Sequence, residues 1–162
     1  MKKIILVRHA KAEDKADPHH DFERNLTVVG IRDAGVMGER LHVMRINPDA
    51  IISSPANRAV QTAEVVHEKI HSKKEIITIK EIYNAKSSTL FRIIKKLNAN
   101  LKTVMLVGHN PSFNGLLAEL CEANIKNIPT GGLVGIKLKT DTWENVEKKC
   151  GTLMFFDSPK NG

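Results

Sequence analysis

Two histidines stand at the ends of short aliphatic runs, Leu6-Val7-Arg8-His9-Ala10-Lys11 and Leu106-Val107-Gly108-His109-Asn110-Pro111. A third run, Ile51-Ile52-Ser53-Ser54-Pro55-Ala56-Asn57-Arg58, ends in helix-start residues. Ser54 is placed to cap, Pro55 falls at the first helical position, and Arg58 sits about one turn in. The guanidinium is a planar fork of donors that matches phosphate oxygens and stays charged at every relevant pH. A neutral imidazole can attack phosphorus and hold the transferred group covalently. A second imidazole can donate to equatorial oxygens as charge builds in the transition state. In these terms His9 is the candidate nucleophile, and Arg8, Arg58 and His109 bind the phosphoryl group. Asn110 caps a helix opened by Pro111, turning that helix's positive end toward the same place. A lone histidine at a strand end is more often structural, and Arg8 alone would serve an ion pair. Two arginines and two histidines at one edge reverse that reading and predict a site for a tetrahedral dianion.

The elements that must position these residues alternate strand and helix. Strands are expected at 3–7, 49–53, 76–79, 103–107, 133–138 and 152–156, and helices at 27–43, 55–71, 88–97 and 111–121. Thr27 starts the first helix and Ser87 or Ser88 caps the third. The last two strands have a short connection, so they are expected as antiparallel neighbours. Repeated βα units with strands apolar on both faces predict an α/β chain, a three-layer α/β/α domain with a mostly parallel, mixed central sheet, over residues 1–162. Ligands in such sheets bind at the carboxyl edge, where both histidines fall. Residues 11–26 are polar and without periodicity, and serve either as a surface connector or as part of the site wall.

Composition sets outer limits. With 162 residues and a formal charge of +7, the chain suits one domain and attracts acidic partners. Its lysines are spread and its aromatics scattered, so nucleic acid is not the expected partner. No segment has the uninterrupted apolar length to span a bilayer, and the apolar run after Met1-Lys2-Lys3 stops at Arg8, too short for a secretory leader. No membrane is expected as partner, and a cytoplasmic location is. Cys121 and Cys150 lack metal-ligand or disulfide spacing and read as buried thiols. His19-His20-Asp21 is a poor chelating set, adjacent in a loop and without further ligands, so neither metal nor other cofactor is expected. His42, His67 and His71 fall on helix surfaces or edges. A serine nucleophile would need a Gly-x-Ser-x-Gly elbow, and a nucleotide-driven kinase a Gly-x-x-x-x-Gly-Lys-Ser/Thr loop; the sequence has neither.

The three motifs, with Arg58-Ala59-Val60-Gln61-Thr62-Ala63 continuing the second, resemble the histidine phosphatase superfamily, and more narrowly its SixA-type phosphohistidine phosphatases. Leu26-Thr27-x-x-Gly30, Pro129-Thr130-Gly131-Gly132 and Phe155-Phe156-Asp157-Ser158-Pro159 also look similar. The resemblance implies a phosphoglycerate mutase-like fold and a two-step reaction: the residue matching the family nucleophile, His9, takes the phosphoryl group, and water releases it. Arg8, Arg58 and His109 match the family's phosphate pocket, with Asn110 beside it, and no metal is implied. The usual glycine after the nucleophile is Ala10 here. Glu81 lies where many members carry a proton donor; it is a candidate general acid or a surface glutamate at a strand end, with Glu13 and Asp14 weaker candidates. The short stretch after Glu81 predicts an open pocket. The expected substrate is phosphohistidine on a protein, such as a histidine phosphotransfer domain. The alternatives are a small-molecule phosphomonoesterase with the same mechanism and a non-catalytic phosphate-binding module; a mutase, which must keep water out, fits an open site less well.

Overall fold

Successive residues of the first strand serve opposite cores. Ile4 and Leu6 pack with Ile52, Val104 and Leu106 under helices that supply Leu90, Ile94, Phe113, Leu116 and Leu120. Ile5 and Val7 pack with Ile51, Met105 and Val107 under helices that supply Met37, Leu41, Ala59, Ala63 and Val66. The strand period of two thus makes a sheet apolar on both faces, which is stable only with helices on each side.

The computed structural model describes residues 1–15 and 18–161. In chain order the elements are β1 (Lys2–Arg8), α1 (Val28–Val43), β2 (Ala50–Ser53), α2 (Asn57–Lys69), β3 (Ile76–Thr78), α3 (Ser87–Lys95), β4 (Thr103–Gly108), α4 (Ser112–Leu120), β5 (Leu133–Leu138) and β6 (Gly151–Asp157). Short 3₁₀ turns occupy Pro18–Glu23, Lys80–Ile82 and Trp143–Asn145. The sheet order is β3-β2-β4-β1-β5-β6. β1, β2, β3 and β4 pair in parallel, while β5 and β6 are antiparallel. This is the mixed α/β/α architecture expected, including the antiparallel final pair.

The register of β1 on β4 runs Lys3 to Thr103 through Arg8 to Gly108, so the two strands end together and His9 and His109 leave the sheet side by side. The neighbouring β2 ends with Ser53 opposite Val107, which delivers α2 and Arg58 to the same edge.

Thr27 caps α1 as expected, its Oγ1 accepting from the Gly30 amide at 3.0 Å. A side chain on Gly30 would collide with the Lys11 carbonyl, which explains a glycine in the first turn. Other helix starts differ from expectation. α2 begins at Asn57, and its N-cap is Ala56 without a side-chain bond. Ser54 is not its cap: the hydroxyl accepts from the Ala56 amide at 3.2 Å and turns toward His109 instead. α3 begins at Ser87 after Lys86. α4 begins at Ser112 rather than Pro111, but Asn110 Oδ1 accepts from the Asn114 amide at 3.1 Å, so Asn110 still does the capping. Cys121 is buried, whereas Cys150 is only half-buried.

Candidate active site

At the carboxyl edge of β1, β2 and β4 lies a cavity of about 560 Å³ lined by Arg8, His9, Arg58, His109, Asn110 and the segment after β1. His9 and His109 are each 8% exposed, and their ring centroids lie 5.2 Å apart.

The two imidazoles have different partners. His9 Nδ1 lies 2.8 Å from the Ala10 carbonyl oxygen. A carbonyl only accepts, so the proton sits on Nδ1 and the lone pair on Nε2. Burial, then Arg58, Arg8 and Arg24, push the His9 pKa down to about 4 against the opposing pull of the Ala10 bond. His9 is therefore neutral at pH 7, with its basic nitrogen free. His109 Nε2 lies 2.8 Å from Ser54 Oγ, a hydroxyl that can donate or accept. Burial first, then Arg58 and His9, push its pKa down to about 3.

The backbone around His9 is held from two sides. The Gly131 amide reaches both the Arg8 and His9 carbonyls, at 3.1 and 3.0 Å, from a backbone with φ of 73°, where glycine meets no Cβ penalty. The Thr62 hydroxyl accepts from the Ala10 amide at 3.0 Å and donates to the Arg58 carbonyl at 2.7 Å. One side chain thus fixes the loop after β1 to the helix that carries Arg58. Across the pocket, the Ile128 carbonyl accepts from Arg8 Nη1 at 2.8 Å and from Asn110 Nδ2 at 2.9 Å.

Three buried nitrogens of this cluster, Arg8 Nε, Arg58 Nε and His109 Nδ1, have no hydrogen-bond partner among the described residues. A buried unpaired donor costs about 1–3 kcal/mol, so the two guanidinium N–H groups, with His109 Nδ1 beside them, suit a site for an acceptor-rich anion.

The structure brings together Arg8, His9, Arg58, His109 and Asn110. It does not bring Glu81 to them. That carboxylate is exposed on the Lys80–Ile82 turn and outside the cavity lining, because the turn sends the buried Ile82 inward instead. Glu13 and Asp14 are absent from the lining too. Of the two roles left open for residues 11–26, the segment takes that of site wall: Lys11, Ala12, Lys15, Asp21 and Arg24 all line the cavity.

Sequence reasoning missed Asp21, Arg24, Tyr83 and the part played by Ser54. Asp21 Oδ2 accepts from Tyr83 at 2.6 Å and Arg58 Nη2 at 3.2 Å, and Oδ1 from Arg24 Nε at 3.1 Å. Its backbone carbonyl accepts from Arg58 Nη1 at 2.8 Å. Burial pushes its pKa up, but Tyr83, Arg58 and Arg24 outweigh burial and hold it at about 2, so the group is ionised. Among the described residues, no three His, Cys, Asp or Glu side chains are grouped to hold a metal ion, and no helix is long and apolar enough to cross a membrane.

The sequence model of the histidine phosphatase superfamily (branch 1) matches residues 4–87, just over half of the chain. The chain belongs to this superfamily. An uncharacterized protein of Mycobacterium tuberculosis is 30% identical over 95% of this histidine phosphatase and 100% of its own length. The structure assigned as phosphohistidine phosphatase SixA of Agrobacterium tumefaciens superposes with a TM-score of 0.84 at 29% identity, covering 98% of each chain. The protein histidine phosphatase SixA complexed with tungstate has a TM-score of 0.84 at 23% identity, again over 98% of each chain, and shares the fold. This histidine phosphatase is of the SixA type, with the phosphoglycerate mutase-like fold, and is a phosphatase with a histidine nucleophile.

Proposed function

We propose that His9 is that nucleophile and that the enzyme removes phosphoryl groups from phosphohistidine on a phosphotransfer protein. The observation that carries the reading is the Nδ1 bond of His9 to the Ala10 carbonyl beside three buried nitrogens that have no partner among the described residues. A neutral imidazole locked in one tautomer presents Nε2 as a fixed lone pair, while Arg8 and Arg58 supply charge, and neutral His109 a hydrogen bond, to the phosphoryl oxygens.

In the first step a bond forms from His9 Nε2 to phosphorus and the bond from phosphorus to the leaving atom breaks, its electron pair leaving with that atom. His9 becomes a phosphoimidazolium whose Nδ1–H keeps its bond to the Ala10 carbonyl; water then attacks phosphorus, the bond from phosphorus to Nε2 breaks and returns its pair to Nε2, and inorganic phosphate leaves carrying the water's protons. The cationic side chains provide the charge neutralisation that a metal provides in other phosphoryl-transfer sites, so catalysis without a metal is expected.

Two observations favour a protein substrate. Residues 83–86 alone separate the Lys80–Ile82 turn from α3, which leaves no helix to roof the cavity on that side. Lys11, Lys15 and Arg24 edge the opening, a basic rim that draws an acidic protein surface. The test compares kcat/KM on a phosphohistidine-bearing phosphotransfer domain and on a panel of small phosphoesters, with His9→Ala as control. Fast, His9-dependent loss from the protein is expected; a strong preference for one small ester would reassign the enzyme to metabolite chemistry.

A further inference from the structure

Among the described residues lining the cavity, Asp21 supplies the one carboxylate; Arg8, Lys11, Lys15, Arg24 and Arg58 supply cations. An ionised carboxylate beside a bound phosphate dianion is repulsive at close range, and a plain phosphate site gains nothing from it. Yet Asp21 is held firmly in this place, by Tyr83 and Arg58 on one oxygen and Arg24 on the other, with Lys15 Nζ 4.0 Å away. Oδ2 has both lone pairs engaged, whereas Oδ1, among the described residues, accepts one hydrogen bond from Arg24 Nε and meets Lys15 Nζ only at 4.0 Å, beyond hydrogen-bond reach, which leaves it room for another donor.

A phosphohistidine differs from a phosphoester in one respect that such a carboxylate can read. The ester's leaving oxygen takes on negative charge as the bond to phosphorus breaks. The phosphorylated imidazole leaves as a neutral ring only when its distal nitrogen already carries a proton, so it enters the reaction as a cation bearing an N–H. We propose that Asp21 is a specificity-determining residue whose Oδ1 accepts the distal N–H of a protonated phosphohistidine, selecting nitrogen-linked phosphoryl groups with cationic leaving groups over phosphoesters. The inference rests on the phosphohistidine reading above and deepens it.

The step balances without a further reactant. The bond between phosphorus and the imidazole nitrogen breaks, its electron pair stays on that nitrogen, the proton remains on the distal nitrogen against Asp21, and the new bond is to His9 Nε2. No proton donor to the leaving atom is needed, which agrees with the placement of Glu81 outside the cavity. A phosphoester in the same pose would set its developing oxyanion toward the carboxylate and lose accordingly. Tyr83 also packs edge-on against the His109 ring, with centroids 5.8 Å apart, so the acceptor is fixed relative to the phosphoryl site.

The experiment measures kcat/KM for wild type, Asp21→Asn and Tyr83→Phe on a histidine-phosphorylated peptide and on phenyl phosphate, across pH. Asp21→Asn is expected to lower the peptide-to-ester ratio roughly ten- to hundredfold, the worth of one hydrogen bond between charged groups. It should also move the alkaline fall of the peptide rate to lower pH, because the carboxylate no longer holds the substrate's proton. The charged and titratable groups facing that carboxylate, Arg58, Tyr83, Arg24, Lys15 and His109, are unchanged in Asp21→Asn, and Tyr83→Phe keeps the charge and should keep most of the ratio. If Asp21 only positions Arg58, both substrates fall together and the alkaline limb stays, which overturns the inference alone. A wild type inactive on the phosphorylated peptide but active on phenyl phosphate removes the phosphohistidine reading and the inference with it.

Discussion

His9 and His109 leave adjacent parallel strands at the same register, with equal burial and similarly depressed pKa values, yet differ in one hydrogen bond. The first faces a carbonyl, which can only accept; the second faces the Ser54 hydroxyl, which can do either. A carbonyl partner fixes the tautomer and so leaves the lone pair on Nε2, as the proposed nucleophile requires. The hydroxyl partner can donate to Nε2, leaving the proton of neutral His109 on Nδ1, where the proposed function has it donate to the phosphoryl group. The division of labour between two identical side chains thus lies in their neighbours, Ala10 and Ser54.

Substitutions can break this comparison at several points. His9→Ala removes the proposed nucleophile and should lower kcat by about 10⁴-fold or more, read by steady-state hydrolysis of a phosphohistidine peptide. Arg58→Ala removes a guanidinium from the phosphoryl oxygens and should cost roughly 10²–10³-fold, with a matching loss of tungstate affinity. Ser54→Ala leaves both imidazoles but deprives His109 of its partner. It should cost about tenfold and alter the pH–rate profile, while Ser54→Thr restores both, because a hydroxyl is what the comparison requires.

Stability against pH sharpens the same point. In the folded protein His9 titrates at about 4 and His109 at about 3, against an ordinary value of 6.5. As pH falls below 6.5 the unfolded chain takes up protons first, so stability is full above 6.5 and is lost as pH drops through about 4 for His9 and about 3 for His109. Urea unfolding of His109→Gln across this window should show a flatter decline than wild type. The smallest effect belongs to Glu81→Gln, where rates on the phosphohistidine peptide should stay within about twofold of wild type, as surface substitutions generally do.

How much was legible in the sequence follows the same division. Arg8, His9, Arg58 and His109 are attached to regular elements, so strand ends and a helix start were enough to bring them together. Even the antiparallel final pair followed from a short connection. Asp21 and Tyr83 are joined across 62 positions by one side-chain bond between a 3₁₀ turn and the residue after another turn, and no periodicity marks either. Glu81 misled because an irregular turn decides which of three consecutive residues faces inward, and here Ile82 does. Ser54 read as a helix cap because its type and place before Pro55 suited one. Its actual partners, the Ala56 amide and His109, include a residue 55 positions away.

The central claim is that the hydrogen bond to Ala10 makes His9, and not His109, the carrier of the phosphoryl group. Rapid quenching of the enzyme with a histidine-phosphorylated peptide, followed by mapping of base-stable, acid-labile phosphate by mass spectrometry, tests it directly. The account expects the label on His9, bonded at Nε2, in wild type and in His109→Gln, and no label in His9→Ala. Label on His109, or undiminished turnover in His9→Ala, would contradict it.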